Sequence, residues 1–154
     1  MKKGHPRLAL LNYRKELQFF PTDPTMHLQC ARILMTSEEW EEAIKEFVNY
    51  NKRRPDDLKI RQPWAQSVFN TSDYAGAAEI LAPALVASPE DPDILLLHAN
   101  ILAKIGDRAE AEAAAAKANE MNKRRIERLK QQPGPPPQTP PQTPPQTPPQ
   151  TPPQ

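Results

Sequence analysis

Along most of the chain, apolar residues recur every three or four positions, and short polar or proline-marked breaks interrupt the pattern. Residues 7–20 carry Leu10, Leu17 and Phe20, with Tyr13 between, and stop at Pro21 and Asp23-Pro24. Residues 24–36 place Leu28, Ala31, Leu34 and Met35 at helical spacing. The next stretch sets Trp40, Ala43, Ile44, Phe47 and Val48 at i, i+3, i+4, i+7, i+8, the stripe of an amphipathic helix with a buried face. Thr36 and Glu39 have the spacing of a capping box at its start. Glu38, Glu39, Glu41, Glu42 and Glu46 read as its solvated face, with Glu41 and Lys45 as an i, i+4 pair. Asp107, three residues before Glu110, caps the last pattern, which meets no breaker until Pro133. The periodicity predicts seven helices and no strand, over 7–20, 24–36, 38–53, 57–70, 73–87, 91–105 and 107–131.

Two prolines modify this picture. An interior proline loses a hydrogen bond and clashes with the carbonyl four residues back, at a cost of about 3 kcal/mol. Pro63 is therefore expected in the first turn of a helix that starts late, where proline is welcome. Pro83 lies well inside its pattern and predicts a kink.

The patterns repeat. Ala31, Ala65 and Ala99 stand 34 residues apart, as do Ala9, Ala43, Ala77 and Ala111, and so do Pro21, Pro55 and Pro89. A fixed period of this length marks a solenoid of stacked helical units. The first helix occupies the second-helix position of a unit whose first helix is missing. Its Leu10, Tyr13 and Leu17 side should pack on the stack, leaving Leu8, Leu11 and Phe20 exposed, and this end is expected to self-associate or receive an upstream segment.

From Pro133 onward only Pro, Gln, Thr and one Gly occur, so all 20 Lys and Arg and all 19 Asp and Glu belong to the first 132 residues. The expected organisation is a helical domain over 1–132 and a disordered, extended spacer over 133–154. Pro137-Gln138-Thr139-Pro140 has the minimal PxxP spacing, but its nearest basic residue, Lys130, is too distant to orient docking. A net charge of +1 gives no global attraction to nucleic acid or membrane. The lone Cys30 precludes an internal disulfide, and no run approaches the roughly 18 apolar residues of a membrane span. Met-Lys-Lys with only Leu8 to Leu11 behind it is too short for a signal peptide, which reads as a cytoplasmic start or one cut from a longer protein.

Residues 24–122 resemble three tetratricopeptide repeats. Cys30-Ala31, Leu34, Trp40, Ala43, Phe47 and Pro55 carry the pattern in the first. Trp64-Ala65, Val68, Tyr74, Ala77, Leu81, Ala84 and Pro89 carry it in the second, and His98-Ala99, Leu102, Ala111 and Ala118 in the third. The resemblance implies an all-α, right-handed superhelical solenoid with a half-repeat at 7–21 and repeats at 24–57, 58–91 and 92–125. It also implies a concave groove, lined by first helices, that receives a peptide or helix of a partner protein. The groove positions are Leu28, Arg32 and Met35, then Gln62, Gln66 and Phe69, then Leu96, Asn100 and Ala103, with Lys59 and Asp93 at the rim. Family members that clamp a terminal carboxylate carry Lys and Asn where this chain has Leu28 and Arg32, and Asn at Pro63. They carry Lys and Arg at Asp93 and Leu97, so that clamp is absent.

No Ser-His-Asp set, paired-cysteine spacing or glycine-rich phosphate loop points to catalysis, and no cofactor or metal is implied. His27 and Cys30, one turn apart, have ligand chemistry but occupy core positions, as does His98. Two functions remain. The first is a non-enzymatic protein-interaction module working through the groove. The second is an electrostatic adaptor that places Lys123, Arg124, Arg125, Arg128 and Lys130 on RNA or anionic membrane, which the near-neutral charge disfavours.

Overall fold

The computed structural model describes residues 6–131; the proline-rich stretch, and the expectation of a disordered spacer, lie outside them. The described residues form seven α-helices and no strand: α1 (Pro6–Phe19), α2 (Pro24–Thr36), α3 (Trp40–Asn51), α4 (Arg61–Asn70), α5 (Tyr74–Ala87), α6 (Pro92–Ile105) and α7 (Arg108–Gln131). A 3-10 turn at Leu58–Ile60 leads into α4. Each helix packs on the next in chain order, and α4 also touches α6. The result is three helix pairs, α2–α3, α4–α5 and α6–α7, preceded by the single helix α1.

Aspartates start the helices at the repeat spacing. Asp23 Oδ1 accepts from the Thr25 amide at 2.7 Å, Asp57 Oδ1 from Lys59 at 3.1 Å, and Asp91 Oδ1 from Asp93 at 2.9 Å. Each satisfies an amide that the helix itself cannot pair. The second helices of the last two pairs begin the same way: Asp73 accepts from Gly76 at 2.9 Å and Asp107 from Glu110 at 3.2 Å. A Cβ at Gly76 would meet the capping carboxylate as it now stands, and Asp73 would have to turn to admit one.

The first pair departs from this scheme and from the expected capping box. Thr36 is the last residue of α2, and its hydroxyl donates back to the Ile33 carbonyl at 2.7 Å instead of capping α3. Glu39 precedes α3 without a side-chain cap, so α3 begins at Trp40 rather than at 38. The cause is the backbone turn. Glu38, Ser72 and Gly106 occupy one repeat position, 34 residues apart, and all have positive φ, at 59°, 68° and 106°. The Glu39 amide then reaches the Leu34 carbonyl at 2.9 Å and the Asp107 amide reaches Leu102 at 3.0 Å, closing each helix end. Only glycine meets this turn without a steric cost.

Both prolines sit in helices. Pro63 falls in the first turn of α4, as the spacing predicts, and the buried Ser67 hydroxyl donates to its carbonyl at 3.0 Å. Pro83 is inside α5 and leaves the Glu79 carbonyl without its helical partner; both residues are exposed, so water can reach that carbonyl.

Two core clusters form. Leu10, Cys30, Ala31, Leu34, Ala43, Phe47, Tyr50 and Ile60 make the first; Ala65, Val68, Ala77, Leu81, Ala84, Ile94, Leu97 and Ile101 make the second. Trp64 packs against both and joins them. Trp40, Ile44 and Val48, expected inside, are only half-buried, whereas Tyr50 is buried and donates its hydroxyl to Asp57 Oδ2 at 2.6 Å. That hydrogen bond, then burial and the Asp57 charge, raise the Tyr50 pKa. The long helix α7 buries only Ala111 and Ala118.

Ala31, Ala65 and Ala99 are 0%, 0% and 4% exposed, as a close helix crossing requires. Ala65→Leu should therefore overpack the α4–α5 crossing and cost about 1–3 kcal/mol in urea denaturation; an unchanged midpoint would show that the small residue is not needed. Ser72→Gly should act oppositely and raise stability by about 0.5–1 kcal/mol, because relief of the left-handed strain outweighs the added freedom of the unfolded chain. The matching substitution Gly106→Ala should lower it by a similar amount, and no difference in sign between the two would contradict the strain account.

Candidate functional site

The groove residues lie on the first helix of each pair and differ in exposure. On α2, Arg32 is exposed while Leu28 and Met35 are half-buried against the first core cluster. On α4, Gln62, Gln66 and Phe69 are half-buried; Gln66 Nε2 donates to Asn70 Oδ1 at 3.3 Å. The Phe69 ring packs on the second cluster and lies 5.2 Å from the Tyr74 ring, tilted by 57°. On α6, Asp93, Leu96 and Asn100 are exposed, Leu96 by 48%. The outer stripe thus grows more accessible from α4 to α6.

A cavity of about 320 Å³ brings Lys59, Gln62 and Asp93 together, walled by Leu58 and Ile94 and by Ala84, Ala87 and Ser88 at the end of α5. None of Leu28, Arg32 and Met35 lines it. A smaller recess of about 50 Å³ joins Asp93 and Leu96 to Ala118, Asn119 and Asn122 of α7. Ser88, Asn119 and Asn122 were not legible as site residues, because they come from second helices and a turn. The polar groups offered here, one ammonium, side-chain amides and a hydroxyl, can hold a peptide backbone beside apolar contact.

The basic stretch is partly neutralised within the chain. Arg124 Nε donates to Glu120 Oε1 at 2.9 Å, and Arg125 Nη1 to Asp93 Oδ2 at 3.0 Å. Lys123, Arg128 and Lys130 are exposed and have no ion-pair partner among the described residues. The Arg125–Asp93 pair spans 32 positions in sequence and links residues assigned to separate candidate sites. Asp93 at the groove rim is consequently not an isolated negative charge.

At the opposite end, α1 packs Leu10, Tyr13 and Leu17 on the first cluster and exposes Leu8, Leu11 and Phe20, as its pattern predicts. Phe19 is also exposed, by 78%. Nearer the start of α1 a cavity of about 290 Å³ is lined by Arg7, Leu10, Leu11, Arg14 and Glu39.

His27 and Cys30 are not arranged as metal ligands. His27 Nδ1 lies 2.6 Å from Glu46 Oε2 and Nε2 lies 3.1 Å from the Pro21 carbonyl oxygen, so both ring nitrogens are engaged. Cys30 is fully buried, and burial first, then the nearby Glu46 charge, pushes its thiol up to about 11. Glu46, read as part of the solvated acidic face, instead turns inward to His27, and Lys45 pairs with Glu42 at 2.7 Å rather than with Glu41. His98 is half-buried. Among the described residues no group of three or more His, Cys, Asp or Glu could hold a metal ion, and no helix is long and apolar enough to cross a membrane.

Consecutive antiparallel pairs, a 34-residue register and alanines at each crossing define a tetratricopeptide-repeat fold of about three repeats and a half. Among solved structures, the chain is similar to MamA MSR-1 C2, with a TM-score of 0.73 over 80% of this chain and 71% of that one, at 17% identity. At that identity the likeness is one of fold. No protein-family model matches the chain, and no curated protein matches it in sequence.

The His27–Glu46 contact ties α2 to α3, and the Pro21 carbonyl adds the turn after α1. His27→Ala should cost about 1–3 kcal/mol, since it leaves a partly buried carboxylate without its partner. The double replacement His27→Leu with Glu46→Leu should return to within about 1 kcal/mol of the wild type. Equal losses in the single and double variants, measured by denaturation, would refute the pairing argument.

Proposed function

We propose that this chain is a non-enzymatic protein-interaction module whose first helices receive an extended or helical segment of a partner protein. The observation that carries the reading is the outer stripe of α2, α4 and α6. It runs from exposed Arg32, past Gln62 and Gln66, to exposed Leu96 and Asn100, and adjoins the cavity holding Lys59, Gln62 and Asp93. Apolar contact from Leu28, Met35 and Leu96 beside backbone-binding amides suits a peptide better than a small polar metabolite. The tetratricopeptide-like fold supports a scaffold role in general.

Two exposed positions test the groove without disturbing the core. Pull-down followed by mass spectrometry should recover a partner with the wild type and lose it with Arg32→Glu combined with Leu96→Glu. Recovery of the same partner by the double variant would remove the groove from consideration. Phe69 is less suitable for such a test, because its ring is packed against Tyr74.

The electrostatic reading through α7 is weaker, because two of its five cations already hold carboxylates. Phosphate-driven binding would weaken steeply with salt, whereas a mixed apolar groove responds little.

Self-association belongs to the same proposal. The exposed Leu8, Leu11, Phe19 and Phe20 form an apolar end where a preceding helix would pack. Analytical ultracentrifugation at micromolar concentration should show a concentration-dependent oligomer that Leu11→Lys abolishes. A monomer at all concentrations would mean that α1 caps the stack alone.

A further inference from the structure

The stripe by which α7 packs on the stack continues beyond the stack. Ala111 and Ala118 are buried on it, and the next position at the same spacing is Arg125, with Arg128 and Leu129 on the same side of the helix. Arg125 meets Asp93 in the first turn of α6. The remaining turn and a half of α7 therefore overhangs the end of its partner helix. Between this overhang and the turn before α6 lies a cavity of about 390 Å³, lined by Glu90, Pro92, Met121, Arg125, Arg128 and Leu129.

Its chemistry is specific. Pro92, Met121 and Leu129 give an apolar floor, and Leu129 is 62% exposed. Arg128 has no ion-pair partner among the described residues, and Arg125 uses only part of its five N–H donors on Asp93. Glu90 forms part of the opposite wall and repels a second negative charge there. The helix dipole accounts for cations in the last turn, but for neither Arg125 nor an exposed leucine beside it.

We propose that this cleft docks an extended acidic segment of another protein, in which two carboxylates and an apolar side chain take successive alternate positions and so share one face. Arg125 and Arg128, one helical turn apart, lie about 5–6 Å from each other along the face. That spacing approximates the roughly 6.4–6.8 Å between alternate residues of an extended chain. The carboxylates pair with the two arginines, and the apolar side chain rests on Met121, Leu129 and Pro92. Nucleic acid fits less well: no aromatic residue lines the cleft to stack a base, and the apolar Pro92, Met121 and Leu129 offer nothing to a sugar-phosphate backbone. This surface adjoins the stripe on α2, α4 and α6 at Asp93 but includes none of its residues.

The test uses the full chain and a fluorescein-labelled peptide of repeating Gly-Glu-Gly-Glu-Gly-Leu units, which places Glu and Leu on one face of the extended chain, followed by anisotropy at physiological salt. Saturable binding is expected, weakened about tenfold or more by Arg128→Glu and separately by Leu129→Ser. Both residues are exposed, and an unchanged melting temperature confirms the fold of each variant. Lys123→Glu combined with Lys130→Glu, on the opposite side of α7, should change binding by no more than about twofold despite its larger charge change. Arg32→Glu, in the other groove, should have no effect. Absence of saturable binding would overturn the proposal, and so would an equal loss in the Lys123/Lys130 variant. Arg128-dependent binding of a single-stranded RNA or of phosphatidylserine vesicles, without binding of the peptide, would assign the cleft to phosphate instead.

Discussion

The close approach of two helices at a pair of alanines is the contact on which the stack is built. Ala31 and Ala43 in the first pair, Ala65 and Ala77 in the second, and Ala99 and Ala111 in the third are all between 0% and 7% exposed. A methyl group at each crossing lets the backbones approach, and the larger residues one turn away, such as Leu34, Phe47 and Leu81, fill the space on either side. Because the same positions recur in every unit, each pair presents similar surfaces to its neighbours. Trp64 then connects the two core clusters, so the stack is not simply a row of independent hairpins.

The connections obey the same register with unequal success. Aspartate begins five of the helical segments, but the equivalent position before α3 is Glu39, whose longer side chain makes no cap. Likewise the left-handed turn residue is glycine only at Gly106, while Glu38 and Ser72 hold the same backbone at a cost. Packing within each pair overrides local preference at these points. The first pair also carries a partly buried polar contact: His27 holds Glu46 and the Pro21 carbonyl at once, joining three segments.

The candidate surfaces follow from what the stack leaves uncovered. Its first end exposes the outer side of α1, its last end the overhang of α7, and the outer stripe of α2, α4 and α6 lies between them. Arg125 and Asp93 couple the last two: the ion pair fixes the overhang beside the groove rim, drawing one basic residue out of the cationic face and one acid out of the groove.

The helices, their order, the burial of Ala31, Ala65 and Ala99, and the sidedness of α1 were legible in the sequence, because each depends on spacing within a helix or on one fixed period. The late start of α4 was legible for the same reason, since Pro63 restricts only its own turn. The first capping box was misread because Thr36 remains helical and its hydroxyl has a nearer acceptor in Ile33. The inward turn of Glu46, the burial of Tyr50 against Asp57, and the Arg125–Asp93 pair were decided by tertiary structure alone. Each depends on where a side chain meets a different element, and a repeat register fixes which faces meet but not which charges find one another.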